Sequence, residues 1–296
     1  MKDSFSTYHP IVNFVYFVVV LVFGMVFMHP VFQTIALVSA VTYSIRLKGK
    51  RALTFSLLYM LPLLLLMAAL NPLFNHAGAT ILYYPENGNP ITLESVLYGV
   101  ASALMFVTII VWFSCYNAVM TSDKFIYLFG KMMPALSLIF SMVLRFVPRY
   151  AAQIKTISNA QKCVGMDVSQ GSLAGRARNG IKILSVMTTW ALENAIETAD
   201  SMKSRGYGLP HRTSFSIFRF DRRDRLAVIA MAVLITVVLT GAALGENTIR
   251  FFPSIKLKGI SLFGIVVDAA YFVLCMIPVI CSIVEDVKWK YIASKM

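Results

Sequence analysis

Six apolar runs limit what this chain can fold into: residues 11–28, 31–45, 52–70, 95–120, 226–244 and 260–284. Five of them carry no charge, and the last carries only Asp268. A helix of roughly 18–20 apolar residues matches the hydrocarbon thickness of a bilayer. No water reaches backbone N–H and C=O groups at that depth, so a spanning segment has to be helical. The run 31–45 is short for a span and fits a tilted segment, a partly re-entrant one, or one paired with the first span. Only 14% of residues are charged and 58% are hydrophobic, with a mean hydropathy of +0.71, whereas a soluble domain carries about 25% charged residues. The expected fold class is all-α, a polytopic membrane protein of about six transmembrane helices. No cleavable signal peptide is expected. Asp3 follows Lys2, the apolar run starts only at Ile11, and no small-residue cleavage site precedes His29-Pro30.

Basic residues set the expected orientation. Of the 27 Lys and Arg, 24 fall in residues 1–10, 46–51, 121–225 and the tail after Val284. The loop 71–94 has none. An excess of Lys and Arg marks cytoplasmic segments, which places both termini and the long basic region in the cytoplasm of a prokaryotic cell. The net charge of +13 is thus a topological signature. No aromatic–basic interleaving suited to nucleic acid is present. Cys115, Cys275 and Cys281 lie in or near spans and Cys163 in the cytoplasmic region, with no C-x-x-C pair to suggest zinc or a redox centre.

Three blocks follow: N-terminal transmembrane helices (1–120), a cytoplasmic helical region (121–225), and a C-terminal transmembrane hairpin with a cytoplasmic tail (226–296). The loop 71–94 contains Asn-Pro, Tyr-Pro and Asn-Gly steps, all turn formers. The middle block is too apolar for disorder. Between Ala135 and Val147 its polar residues are Ser137, Ser141 and Arg145, four apart, which reads as one polar stripe on a greasy helix. Pro148 is expected to bend or restart the chain. A second helix is then expected from about Arg149 to Val164. A third is expected from about Arg176 or Ile181 to Trp190, merging into or packing before residues 193–205.

Two stops in this block look alike. Residues 160–165 read Ala-Gln-Lys-Cys-Val-Gly and residues 201–206 read Ser-Met-Lys-Ser-Arg-Gly, with Lys162 and Lys203, and Gly165 and Gly206, at matched places. Gly is favoured just past a helix end because it accepts a left-handed backbone, and a basic residue there complements the helix dipole. Either stop alone is an ordinary cap; two in one block are less easily dismissed. Ala191, Ala195 and Ala199 recur four apart, and a face of small residues lets helices approach closely.

Residues 121–208 resemble the transmembrane coupling subunit, the T component, of energy-coupling factor (ECF) importers, which belong to the ABC transporter class. The resemblance rests on Arg145-Phe146-Val147-Pro148, on Ala160-Gln161-Lys162-Cys163-Val164-Gly165-Met166-Asp167, and on Ser201-Met202-Lys203-Ser204-Arg205-Gly206-Tyr207-Gly208. Three short motifs in order between membrane spans are specific together, although each is weak alone. They cover about a third of the chain.

The resemblance implies a cytoplasmic domain of long crossed coupling helices whose tips dock on two ABC-type ATPase subunits. It also implies a small substrate-binding membrane (S) subunit and uptake of a vitamin or metal ion. The implied docking residues are Lys203, Ser204, Arg205 and Gly206 at one tip and Lys162, Cys163, Val164 and Gly165 at the other. Ala191, Ala195, Ala199, Arg145 and Pro148 are the implied coupling-helix packing residues. The first tip departs from the family pattern, with Val164 where the family has Arg, so that side is expected to dock by packing. Lys162 lies on another face, and Arg176 and Arg178 are nearby in sequence. No catalytic or metal site is implied for this chain. No G-x-x-x-x-G-K-[ST] loop is present, so ATP and Mg are expected on the partner ATPases.

Other constellations read as structural. Glu193 and Glu197 are expected to form ion pairs across the helix crossing. His9, His29, His76 and His211 fall in separate loops. Asp268 sits within a span, where an acid is a functional candidate by default, but near an interface. Residues 222–225 read as a positive-inside anchor. Sixteen Met residues suit either a re-packing surface or plain core. The competing class is a polytopic membrane enzyme acting on a lipid or isoprenoid substrate. It would need converging polar groups in the spans, which lack paired acids and His clusters. A secondary carrier would favour inverted repeats and broken helices, and neither is evident.

Overall fold

The computed structural model describes residues 3–84, 90–130, 133–207, 218–257 and 261–295. Among them the chain is built from α1 (Pro10–Val26), α2 (Pro30–Lys48), α3 (Lys50–Phe74), α4 (Leu93–Val119), α5 (Ser122–Gly130), α6 (Pro134–Cys163), α7 (Leu173–Ser204), α8 (Arg222–Ala243) and α9 (Leu262–Ala293). The fold is all-α, and the described residues contain only two short strand pairs, Ile81–Tyr83 with Ile91–Thr92 and Ile249–Arg250 with Lys256–Leu257. By length and apolarity α2, α3, α4, α8 and α9 suffice to cross a membrane, and α1 is a shorter apolar helix of 17 residues. The run expected to be short extends through Arg46 to Lys48 and becomes a helix of 19 residues. It ends only at Gly49, whose φ of +62° breaks the helix.

Prolines mark the entries. Pro10 and Pro30 begin α1 and α2, where a missing N–H costs nothing. Within α3 the turn Ser56–Met60 is a π-type bulge directly ahead of Pro62, a common way to absorb a proline inside a helix.

Two compact units divide the chain. The first comprises Met1–Phe125 and Phe218–Met296, so the N-terminal and C-terminal apolar helices fold together. Its core is aromatic: Phe5, Tyr16, Phe17 and Trp112 pack edge to face, with Phe5 and Tyr16 centroids 5.0 Å apart. Two of its buried polar side chains are held by backbone carbonyls, as a dry interior favours. Gln33 Nε2 donates to the Gly24 and Phe27 carbonyls, both at 2.8 Å, and Tyr16 Oη donates to the Cys275 carbonyl at 2.8 Å. Asp3 ties the residues before α1 into this core. Asp3 accepts from Tyr43 Oη at 2.8 Å, Ser282 Oγ at 2.9 Å and the Ser6 N–H at 3.1 Å. Lys124, at the start of α5, is buried and donates to the Ser6 and Val119 carbonyls.

The basic run that opens α8 does more than anchor. Asp224 is buried and accepts from the His9 and Asp221 N–H groups. Arg223 lies 4.7 Å from the Tyr8 ring and 3.4 Å from Glu285.

The second unit, Ile126–Ile217, holds α6 and α7. They run antiparallel. Ile157 packs with Ile183 and Met187, while Tyr150, further back on α6, meets Trp190, further along α7, at 5.5 Å. At 1.5 Å per residue, helices of 30 and 32 residues are each about 45 Å long.

Two open alternatives are resolved. Pro148 does not end a helix: Pro134–Cys163 is continuous with Pro148 inside it. Pro148 is exposed, so the carbonyl that loses its intrahelical donor need not be buried. Of the two arrangements expected for the segments around 176–190 and 193–205, merging is the one observed: they form one helix, Leu173–Ser204, started by Ser172, whose side chain accepts from the Gly175 N–H.

Candidate functional site

Both tips close in the same way. At the first, the Gly165 N–H donates to the Lys162 carbonyl at 3.0 Å and the Met166 N–H to the Gln161 carbonyl at 2.9 Å. At the second, the Gly206 N–H donates to the Lys203 carbonyl at 3.0 Å and the Tyr207 N–H to the Met202 carbonyl at 3.0 Å. Gly165 and Gly206 both have φ +77°. This paired-bond, left-handed close satisfies the last carbonyls of a helix and needs a residue that tolerates positive φ. The residues before the glycines, Val164 and Arg205, match as well, with φ and ψ of −93° and 12° and of −85° and 7°.

The side chains at the tips point outward. Lys162, Cys163 and Val164 are exposed, as are Lys203, Ser204 and Arg205. Val164 is 71% exposed, an unusual place for a β-branched apolar residue unless something covers it. Arg205 has no ion pair among the described residues. One tip therefore offers a methyl pair and the other a free guanidinium on matching backbones. Gly208, the last motif residue, and His211 lie outside the described residues.

The turn after the first tip is fixed by Asp167. Its carboxylate accepts from the Ser169 N–H at 2.9 Å and Ser169 Oγ at 2.6 Å, with Lys162 at 3.8 Å. The Ser169 donors, and then the Lys162 charge, hold this carboxyl below the usual carboxylate range. Asn179 Nδ2 donates to the Asp167 carbonyl at 3.0 Å and Arg176 Nε to the Val168 carbonyl at 2.8 Å. Arg176 thus braces the turn. Sequence reasoning quoted Asp167 within a motif but gave it no role. An Asp followed two residues on by Ser is the signal that was available.

The small-residue face is not the one this helix pair uses. Ala195 and Ala199 are exposed and Ala191 is half-buried, whereas Ile183, Met187 and Asn194 are buried. The α6–α7 contact runs through Ile157, Tyr150, Trp190 and Met187, because these larger side chains span the gap that alanine leaves open. Arg145 and Pro148 are exposed on α6. Arg145 does not pack the pair; it lines a cleft toward the end of α7. Glu193 and Glu197 form no ion pair among the described residues, contrary to expectation. Much apolar surface stays open on this unit: Ile181, Leu184, Leu192 and Ile196 are exposed on α7, as are Ile139, Phe140 and Val143 on α6. Open apolar surface of this extent marks a lipid or partner contact.

The cleft between α6 and the C-terminal half of α7 has a volume of about 510 Å³ and includes Arg145, Arg149, Asn194, Glu197 and Arg205 in its lining. The Arg149 guanidinium sits 5.6 Å from the Trp190 ring centroid. Among the described residues no group of three His, Cys, Asp or Glu side chains is placed to hold a metal ion.

Comparisons with known proteins bear on this arrangement. Residues 3–217 match the family model described as CbiQ, cobalt transport protein. The chain is 34% identical over 105 residues to the energy-coupling factor transporter transmembrane protein EcfT of Lacticaseibacillus paracasei, covering 35% of this chain and 40% of that one. It is 34% identical over 105 residues to EcfT of Lactococcus lactis subsp. cremoris, covering 35% and 39%. Its match to EcfT 1 of Listeria monocytogenes is longer, 27% identical over 201 residues, covering 64% and 71%. The matched stretch thus spans about 40% of the length of the first two relatives.

Proposed function

Because the chain belongs to the CbiQ family of cobalt transport proteins, we propose that it is the transmembrane energy-coupling component of an ECF-type ABC importer. In this reading two ABC-type ATPase subunits bind the exposed tips of α6 and α7. ATP and Mg are held by those subunits, and this chain takes no part in the hydrolysis. A small substrate-binding membrane subunit covers apolar surface that α6 and α7 leave open, and the cargo is a micronutrient, a vitamin or a metal ion. Both termini face the cytoplasm, as the distribution of Lys and Arg suggests.

The observation that carries this reading is the pair of matched tips. Two helices of similar length end in the same left-handed close, with Val164 and Arg205 exposed at corresponding positions. Rigid helices about 45 Å long can pass a displacement at one end to the other without bending, which a mobile loop cannot. An Arg at the end of such a helix offers a planar fork of donors suited to a carboxylate or to backbone carbonyls.

The reading is tested by reconstitution. The purified chain, an ABC ATPase pair and one substrate-binding membrane subunit are placed together in vesicles, and ATP-dependent uptake of that subunit's vitamin or metal is measured. Uptake that requires all three proteins supports the reading. Full ATP-driven uptake without this chain contradicts it.

A further inference from the structure

The cleft beside Arg205 has more hydrogen-bond donors than its own acceptors can use. Arg145 and Arg149 face it from α6, and Arg205 lies at the end of α7. Against three guanidinium groups stands one carboxylate, Glu197, and neither Arg145, Arg205 nor Glu197 forms an ion pair among the described residues. Asn194 is only 6% exposed, and its Nδ2 has no acceptor. A buried amide N–H left without an acceptor is a destabilising feature, and the residue that carries it is also one of those lining the cationic cleft. Phe146 and Met202 add apolar surface to the same lining.

We propose that this cleft receives an acidic side chain, flanked by apolar ones, carried by the ATPase subunit that binds the Arg205 tip. The inference rests on the functional reading above and adds a second contact to it: the tip docks from outside while the partner's acid enters between α6 and α7. Charge selects this occupant over the alternatives within reach. The stretch that follows Tyr207 in sequence, residues 208–217, contains His211 and Arg212 and no acid. A second copy of this chain has a net charge of +13 and would be repelled. A carboxylate accepts from two guanidinium groups at once, and the planar fork of Arg favours that geometry. The Arg149 guanidinium also lies against the Trp190 ring, which holds it on this side of α6.

The test uses the full-length chain in nanodiscs and the purified ATPase pair as the probe, with affinity measured at low and at physiological salt. Arg145 is exposed, so Arg145→Glu is expected to keep the fold and to weaken binding at least about tenfold. Asn194→Leu is expected to weaken it severalfold, and Arg145→Gln, which removes charge without reversing it, to fall between wild type and Arg145→Glu. One Asp→Arg or Glu→Arg substitution on the ATPase surface is expected to restore binding to Arg145→Glu while weakening binding to the wild-type chain. Wild-type affinity for Arg145→Glu and Asn194→Leu alongside a weakened Arg205→Glu would overturn the cleft contact and leave the tip contact standing. Wild-type affinity for all three would remove the functional reading itself. Binding of inorganic phosphate that depends on Arg145, with ATPase affinity unaffected by the variants, would make the cleft a free-anion site and would also overturn the proposal.

Discussion

Gly165 and Gly206 share a φ of +77° although they close different helices. The chain has made the same backbone twice and has put different chemistry on it, Val164 before one glycine and Arg205 before the other. A left-handed residue with a Cβ costs roughly 1 kcal/mol relative to Gly, so both closes favour the glycine they have. The difference in side chain is where the two tips can differ in what they bind.

Val164 is the simplest place to test the apolar tip. The side chain is 71% exposed, so Val164→Asp is expected to leave the melting temperature within about 1 °C, since exposed substitutions change stability by only about 0.5 kcal/mol or less. ATPase binding is expected to weaken about tenfold, because a carboxylate would have to be desolvated in an apolar groove. Paired melting and binding curves read both effects.

The turn at Asp167 gives a pH dependence with a definite sign. Its carboxyl sits below its ordinary value of 3.8, held there first by Ser169 and further by Lys162. A depressed carboxylate contributes stability that is fully present above the unfolded-state value and is lost as pH falls through the folded one. Protection of residues 166–170 against amide exchange, taken relative to the intrinsic rate at each pH, is therefore expected to hold down to about pH 4 and to fall below that. Asp167→Asn is expected to show low protection throughout that range.

Core and surface faces of α7 are expected to respond oppositely. Met187→Ala removes a buried side chain from the contact with Ile157 and Ile183 and is expected to cost about 2–4 kcal/mol. Ala195→Leu and Ala199→Leu fall on exposed positions and are expected to leave stability within about 0.5 kcal/mol. If these alanines face a partner subunit, the Leu variants will lose assembly while melting like wild type. Thermal melts and co-purification of the same preparations separate the two outcomes.

Asp3 joins three segments far apart in sequence, through Ser6, Tyr43 and Ser282. Asp3→Ala removes three bonds worth about 1 kcal/mol each and is expected to destabilise the membrane unit by about 2–3 kcal/mol. Cleavage within residues 3–9 by an added protease is expected to rise with it.

The sequence made some features legible and hid others for physical reasons. Uncharged runs marked the apolar helices well, as with residues 95–120 against Leu93–Val119, because a bilayer tolerates few charges. Gly165 and Gly206 were readable because positive φ at a helix end leaves a local trace. Helix continuity through Pro148 was not, since a proline breaks a helix or sits in one depending on what surrounds the freed carbonyl. The packing face of α7 was misread because alanine spacing is a local pattern, while burial of Met187 and Asn194 depends on α6. Asp3, Tyr43 and Ser282 meet only through the tertiary fold and share no spacing that a linear reading could find.

Arg205→Glu tests the central claim most directly. The purified chain in nanodiscs, wild type or variant, is titrated with the ABC ATPase pair, and Arg205→Lys serves as the charge-conserving control. The account predicts at least about 30-fold weaker binding for Arg205→Glu, equivalent to about 2 kcal/mol for a lost charged partner at a docked interface, and an intermediate value for Arg205→Lys. Equal affinity for wild type and Arg205→Glu would contradict it.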